Sequence, residues 1–341
     1  MLLPSPLLPA SAESAAGLQA PPSPWVSVAV ARERYGTSAT LPWPPGNIAR
    51  GGVSVLEHQS SCPFQGFALG RLRSDRLETP RAGISAQVHG ILLHDALQRI
   101  WRDLGDSAAL RARQAAIPAL VREAVAQALE CAREQLVIRL PQAIWEVEGA
   151  RCERLIHGLL GAELDREPFT VVATEESLTL GAQGVGLRLK LDRLDRMEDG
   201  SHALIDYKSG KPRGFEALAQ RPPAPQLLAY AAALNKPLCA VASAHLNVEG
   251  TGWRGAMDRD RRLRGIRPLA LGDDGWQDLL QQWRAQVIGL LEEFSQGEAR
   301  VAPQPRACES CHLSALCRIN ETELALNEAA EDPAAEDGTA A

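Results

Sequence analysis

The chain has 341 residues, 45% of them hydrophobic and 23% charged, with a net charge of -6. That length and apolar content suffice for a sizeable buried core and exclude a wholly disordered chain. No apolar run reaches the roughly 18 residues of a membrane span, and the opening MLLPSPLLPA lacks the basic start and continuous apolar block of a signal peptide, so a cytoplasmic protein without a membrane partner is expected. Seven acids and no base lie after Arg318, which leaves the rest of the chain near +1; bulk charge therefore neither favours nor excludes a nucleic-acid partner.

Residues 1–50, with PPSP and LPWPP, show no sustained periodicity and read as an unstructured lead-in. A folded region is expected over 51–320, followed by an acidic, Ala-rich tail over 321–341. "AQVHGILLHDALQRIWRDL", residues 86–104, places Val88, Ile91, Leu92, Ile100 and Trp101 at helical spacings and stops at Gly105. Helices over about 107–134 and 142–165 follow, with Pro118 predicted to break or kink the first. Together they form a helical subdomain over about 105–165. Short β-branched or alternating segments come next, "PFTVVATEE", "SLTLGAQGVGLRLKLDRLD" and "HALIDYK", punctuated by Gly and Asp-Gly turns. A helix at 225–234, strands at "LCAVASAHLNV" and around Trp253, and an amphipathic helix over 274–296 closed by Gly297 complete the pattern. The order predicts an α/β core with an added helical subdomain.

The strands "LRLKLDRLD" and "HALIDYK" carry the chemistry. Residues two apart share a strand face, so Arg188, Lys190 and Asp192 point opposite to Leu187, Leu189 and Leu191. Glu198, Asp199 and Gly200 suit a three-residue hairpin loop with Gly200 left-handed. In that register Asp192 opposes Asp206 and Lys208 lies beside them. Two opposed carboxylates repel unless a cation intervenes, and a hard ion such as Mg²⁺ would offset that repulsion, with Lys208 available to orient or deprotonate a water. A solvent-facing strand pair with Lys208 as counter-ion is the competing reading. Upstream lies His94 in "GILLHDAL"; downstream, Gln226 and Tyr230 sit four apart on one helical face. Each alone reads as packing or capping.

In order, His94, Asp192, Asp206-x-Lys208 and Gln226-x3-Tyr230 resemble the PD-(D/E)XK nuclease superfamily in its RecB/AddB-like branch. The chain departs from that branch's usual pattern in having Leu191 before the first Asp in place of Pro, and Lys190 where glycine is frequent. The resemblance implies a restriction-endonuclease-like core, a central mixed sheet flanked by helices, with an inserted helical subdomain. It implies that Asp192, Asp206, the Tyr207 carbonyl and His94 hold Mg²⁺ or Mn²⁺, that Lys208 positions the attacking water, and that Gln226 and Tyr230 contact DNA or brace the site. Glu175 or Glu176 is a candidate accessory acid.

The seven cysteines, an odd number, suit reduced thiols or metal ligands better than a disulfide framework. "CESCHLSALC" sets Cys308, Cys311 and Cys317 in a C-x2-C-x5-C array that can hold three corners of a cluster or a tetrahedral ion. Cys131, Cys152 and Cys239 lie in apolar contexts and read as packing. The resemblance extends to nucleases with one Cys before the core and three after it, which implies a 4Fe-4S cluster on Cys62, Cys308, Cys311 and Cys317; Zn²⁺, with His312 as a substitute ligand, is the alternative. It also covers the nuclease part of proteobacterial proteins described as DNA repair proteins, in which a helicase-like part comes first. No G-x4-G-K-[ST] phosphate loop occurs here, so no ATPase is expected and a helicase would be a separate partner, the chain being a stand-alone nuclease domain or a shortened product. The expected function is a metal-dependent deoxyribonuclease acting on single strands or duplex ends in recombinational repair. The alternative is a non-catalytic iron-sulfur DNA-binding or scaffolding subunit.

Overall fold

The computed structural model describes residues 42–77, 83–135, 139–210, 215–247, 250–258, 266, 269 and 275–320. Most of the expected lead-in and the acidic tail thus lie outside the described residues. Asn47–Ala49, assigned to the lead-in by composition, form a short strand, β1. Helices α1 (Val53–Ser61) and α2 (Pro63–Gly70) follow, then α3 (Ala86–Leu104), α4 (Ser107–Ala112), α5 (Ile117–Gln135) and α6 (Gln142–Glu163). Strands β2 (Phe169–Ala182), β3 (Val185–Met197) and β4 (His202–Lys208) precede α7 (Gln226–Ala233), β5 (Leu238–Asn247), β6 (Gly250–Met257), α8 (Gly275–Gln296) and α9 (Ser314–Cys317). Among the described residues no helix is long and apolar enough to cross a membrane.

Local chemistry sets these boundaries. Ser85 Oγ accepts the Val88 N–H at 3.2 Å to start α3, and Asp106 accepts the Ala109 N–H at 2.7 Å to start α4. The break expected at Pro118 falls earlier, at Arg113 and a 3₁₀ turn over Gln114–Ala116; Pro118 sits in the first turn of α5, where its missing N–H has no helical partner to lose. The predicted apolar stripe of α3 is present at Val88, Leu92, Ile100 and Trp101, with Ile91 the exception. Ile91 is 52% exposed, while Leu92, Leu93, Ala96, Leu97, Ile100 and Trp101 are buried.

The strands make one mixed six-stranded sheet. Antiparallel β2 covers one edge of β3 along its length. The other edge is shared by β1, parallel at 185–187, and β4, antiparallel at 193–196. Beyond β4, β5 is parallel and β6 antiparallel to its neighbour. The β3–β4 hairpin has the expected register, Arg193 opposite Ile205 and Leu194 opposite Leu204, turning through Gly200 at φ +83°. Gly52 allows a second close approach: a Cβ there would lie 2.6 Å from the Arg188 carbonyl of β3.

Each sheet face carries its own apolar layer. Helices α3, α5 and α6 pack with Ala203, Ile205 and Tyr207 on one face; α1, α7 and α8 pack with Leu187, Leu189, Leu191, Leu194 and Leu204 on the other. Full burial of each such leucine is worth about 1.5–3 kcal/mol relative to exposure. One layer holds charge as well. Arg193 and Asp195 of β3, Glu163 of α6 and Arg166 are all buried. Arg193 contacts Asp195 at 2.6 Å and Glu163 at 2.8 Å, and Arg166 contacts Glu163 at 2.6 Å and Asp195 at 2.9 Å. Two cations and two anions cancel, which makes burial of the group affordable. Asp195 is thus an interior ion.

Burial raises the Glu163 pKa, but the neighbouring Arg166 and Arg193 charges outweigh it and hold the carboxyl below its ordinary value near 4.5. A depressed carboxyl contributes stability that is present above its unfolded pKa and lost as pH falls through the folded one. Denaturant unfolding is therefore expected to be insensitive to this group down to about pH 5 and to weaken below it. Glu163→Gln should cost about 3–5 kcal/mol at pH 7 by leaving buried guanidinium charge uncompensated. An unchanged midpoint in that variant would contradict the ion quartet.

Candidate metal and nuclease site

The site forms where the sheet stops being regular. The β3–β4 ladder ends at Arg193 and Ile205, one pair short of Asp192 and Asp206. The β2–β3 ladder skips the same place, pairing Thr174 with Arg193 and Glu176 with Leu191. Glu175, in the gap, has φ +50°, a left-handed conformation that costs a non-glycine residue about 1–3 kcal/mol. The two acids thus do not form the regular cross-strand pair expected of them. Asp192 Oδ2 instead accepts the Tyr207 main-chain N–H at 2.7 Å.

His94, on α3, brings three groups together. Its Nε2 lies 3.1 Å from the Tyr207 carbonyl, and its Nδ1 lies 3.3 Å from both Asp192 Oδ1 and Glu175 Oε1. Of the two candidate accessory acids, Glu175 is the one at the site, and Lys190 contacts its other oxygen at 2.5 Å. Lys208 Nζ donates to Asp206 Oδ1 at 3.3 Å and faces Oδ2 at 3.0 Å, but Oδ2 is buried without an aligned hydrogen bond. Lys208 also donates to Gln226 Oε1, and Gln226 Nε2 donates to the Tyr230 hydroxyl at 2.8 Å. Tyr230 is buried, so this pair braces the lysine from α7.

Three acids, Asp192, Asp206 and Glu175, face three bases, His94, Lys190 and Lys208. Burial, then the Asp192 charge, pushes the Asp206 carboxyl up to about 7. Burial disfavours the His94 cation, yet hydrogen bonds to Asp192 and Glu175 outweigh it and carry the imidazole to about 10. Burial likewise works against the Glu175 anion, but His94 and Lys190 hold that carboxyl below its ordinary range. Cationic side chains, and a raised Asp206 pKa, thus offset the charge of the carboxylates. Carboxylate oxygens and a main-chain carbonyl make a donor set that fits a hard divalent ion. His94, Glu175 and Asp192 offer ligand atoms within 4.8 Å of one another. The site opens onto a cavity of about 600 Å³ between α3, α5 and the strands, lined by Gln87, Ile91, Gln98 and Lys190 among others.

A second buried group, His89, Glu148 and Cys152, joins α3 to α6. Glu148 and Cys152 both address His89 Nδ1, the sulfur at 4.0 Å, so the three do not form a relay through the ring. Burial and the Glu148 charge push the thiol up to about 12, consistent with the packing role expected of Cys152. Of the expected cluster ligands, Cys62 lies in the first described segment and Cys308, Cys311 and Cys317 in the last, and among the described residues no three of them offer sulfurs within 4.8 Å of one another. Cys62 is buried just before α2, Cys308 is exposed, and Cys311 and Cys317 are half-buried. Main-chain bonds tie the two segments, Gln304 N–H to Ser61 at 2.8 Å and Phe64 N–H to Arg300 at 3.1 Å, and the Gln65 side chain reaches the Ala307 carbonyl at 3.3 Å.

Sequence reasoning missed the interior role of Arg193, Asp195, Glu163 and Arg166. The available signal was a D-R-x-D run continuing a leucine-rich strand into a segment buried on both faces.

Comparison with known proteins adds the following. No curated protein matches the chain. A crystal structure described as a candidate exonuclease from Eubacterium rectale is similar at 12% identity and a TM-score of 0.37, over 78% of this chain and 86% of that one. The crystal structure of SSO0001 is similar at 11% identity and a TM-score of 0.27, over 77% and 94% of the respective chains. Neither likeness is close enough to bear on function. The sequence profile of the PD-(D/E)XK nuclease superfamily matches residues 52–318, a span containing every site residue above. The chain belongs to the PD-(D/E)XK nuclease superfamily.

Proposed function

We propose that the chain is a Mg²⁺- or Mn²⁺-dependent deoxyribonuclease of the RecB/AddB-like branch, hydrolysing phosphodiester bonds of single-stranded DNA or duplex ends in recombinational repair. The observation that carries this reading is the convergence of Asp192, Glu175 and the Tyr207 carbonyl on His94, with the Lys208–Asp206 pair flanking Tyr207 on the same strand. Asp192, Asp206, Tyr207 and His94 would hold the ion, with Glu175 adjacent. When bound, a divalent ion supplies Lewis-acid polarisation of the phosphate.

The chain's own groups do the rest. Lys208, steadied by Asp206 and Gln226, presents its ammonium to the attacking water and to charge developing on the phosphate oxygens. Tyr230 fixes Gln226 in turn. The cavity beside α3 gives a strand end room to approach the carboxylates. A motor that unwinds duplex would come from a separate helicase chain.

Cleavage of labelled single-stranded DNA with Mn²⁺ is expected to fall by about 100-fold or more in Asp192→Ala. Mn²⁺ should raise the thermal midpoint of the wild type but not of that variant, because only the native site binds the ion. Equal cleavage by the two proteins would overturn the assignment.

At the other end of the fold, the reading places a 4Fe-4S cluster on Cys62, Cys308, Cys311 and Cys317, stapling segments already joined by the Ser61–Gln304 and Phe64–Arg300 bonds. His312 Nε2 is engaged with the Ser74 carbonyl at 2.9 Å, which leaves one ring nitrogen for the zinc alternative. Anaerobically purified protein should show a broad visible thiolate-to-iron absorbance that Cys308→Ser and Cys317→Ser abolish. Colourless protein with stoichiometric zinc would reject the cluster.

A further inference from the structure

Tyr207 has three polar groups, and each serves a different part of the molecule. Its N–H donates to Asp192 at 2.7 Å, its carbonyl meets His94 at 3.1 Å, and its hydroxyl accepts from Arg193 Nη1 at 3.2 Å. Its ring also stands edge-on to the His94 ring, 5.9 Å away at 85°. Tyr207 is thus the hinge between the candidate metal ligands and the buried ion quartet.

Arg193 holds that hinge with no donor to spare. A guanidinium has five N–H donors in a fixed fork. Here Nε and Nη2 take the two oxygens of Asp195 at 2.6 and 2.7 Å, Nη1 and Nη2 take Glu163 at 2.8 and 3.4 Å, and the second Nη1 donor takes Tyr207. Its flat faces meet aromatic rings, Trp101 at 3.9 Å and Phe169 at 4.7 Å. Every degree of freedom of the side chain is fixed, so the position of the tyrosine hydroxyl is fixed with it.

The place of Arg193 in the strand gives this rigidity its use. It is the last residue of β3 paired with β4 before the ladder stops, and it immediately follows Asp192. On the β2 side it is likewise the last pair before the break at Glu175. Beyond it β3 and β4 no longer pair with each other, although β4 stays paired with β5 and β3 with β2. A buried ion group is weak as a source of stability when apolar residues of equal volume can replace it. Its better use is to specify one geometry, here at the end of a strand that must present Asp192 and the Tyr207 carbonyl to one point.

We infer that Arg193, clamped by Asp195 and Glu163 and touching no substrate, is a positioning residue for the metal site and acts through the hydroxyl of Tyr207. This rests on the nuclease reading above, and direct metal binding separates the two. The test compares full-length wild type with Tyr207→Phe, which removes one hydroxyl and keeps the ring, and with Arg193→Lys, which keeps the charge but loses the fork. Mn²⁺ affinity is measured by calorimetric titration, kcat on single-stranded DNA across Mn²⁺ concentrations, and folding by thermal midpoint.

The expected result for Tyr207→Phe is about 10-fold weaker Mn²⁺ binding, typical of losing a group that orients a metal ligand. The fold should persist with a modestly lower thermal midpoint, since one buried Arg193 donor loses its partner, and excess Mn²⁺ should restore kcat, which a merely structural loss would not allow. Arg193→Lys should lower Mn²⁺ affinity at least as far. Wild-type Mn²⁺ affinity in folded Tyr207→Phe overturns the positioning role even if the enzyme cuts DNA. Mn²⁺ binding without cleavage by the wild type overturns the nuclease reading, while the titrations still decide the role of Arg193. Absence of Mn²⁺ binding by the wild type overturns both.

Discussion

Asp192 sets its charge against Glu175 on one side, across His94, and against buried Asp206 on the other, and the rest of the site is organised around that repulsion. Ions of like sign this close, removed from water, must gain protons, cationic neighbours or a metal. In the structure all the protein-borne answers are visible: Asp206 is pushed up to about 7, His94 lies between Asp192 and Glu175, and Lys190 and Lys208 each take one acid. A divalent ion could replace those protons and cations among the carboxylates, and a nuclease superfamily chain has a use for one.

The scaffold supplies what the pocket lacks in regularity. Strand pairing fails at Asp192 on both edges of β3, and Glu175 takes a strained left-handed conformation there. Backbone freed from its ladder re-aims side chains, but it also needs holding. The ion quartet lies directly after the break, in the layer formed with α3, α5 and α6, and reaches the site through Tyr207. On the opposite face α7 delivers Gln226 and Tyr230 to Lys208. Two helical layers thus grip two adjacent strands at their point of divergence.

Much of this was legible in the chain. Periodicity and capping residues set α3, α6, α7 and α8 to within a residue or two, and Gly200 with its loop length set the hairpin register, because turn geometry and the period of two leave little choice. His94, Asp192, Asp206 and Lys208 stood out because their order along the chain matches a family pattern. What escaped was long-range. Arg193 and Asp195 look like solvent-facing charges in any local window, and only the arrival of α6, with Glu163, and of Arg166 buries them. The outward turn of Ile91 similarly depends on the cavity beside α3, which no single helix encodes. The choice between Glu175 and Glu176 hung on a left-handed residue that the amino-acid types do not announce.

The central claim is that these carboxylates exist to bind a catalytic cation. Anomalous scattering from crystals grown with Mn²⁺ tests it most directly. The account predicts a strong peak bonded to carboxylate oxygens of Asp192 and Asp206 and to the Tyr207 carbonyl, absent from crystals of Asp192→Asn. Crystals with Mn²⁺ bound elsewhere, or with those groups still paired only to protons and lysines, would contradict it.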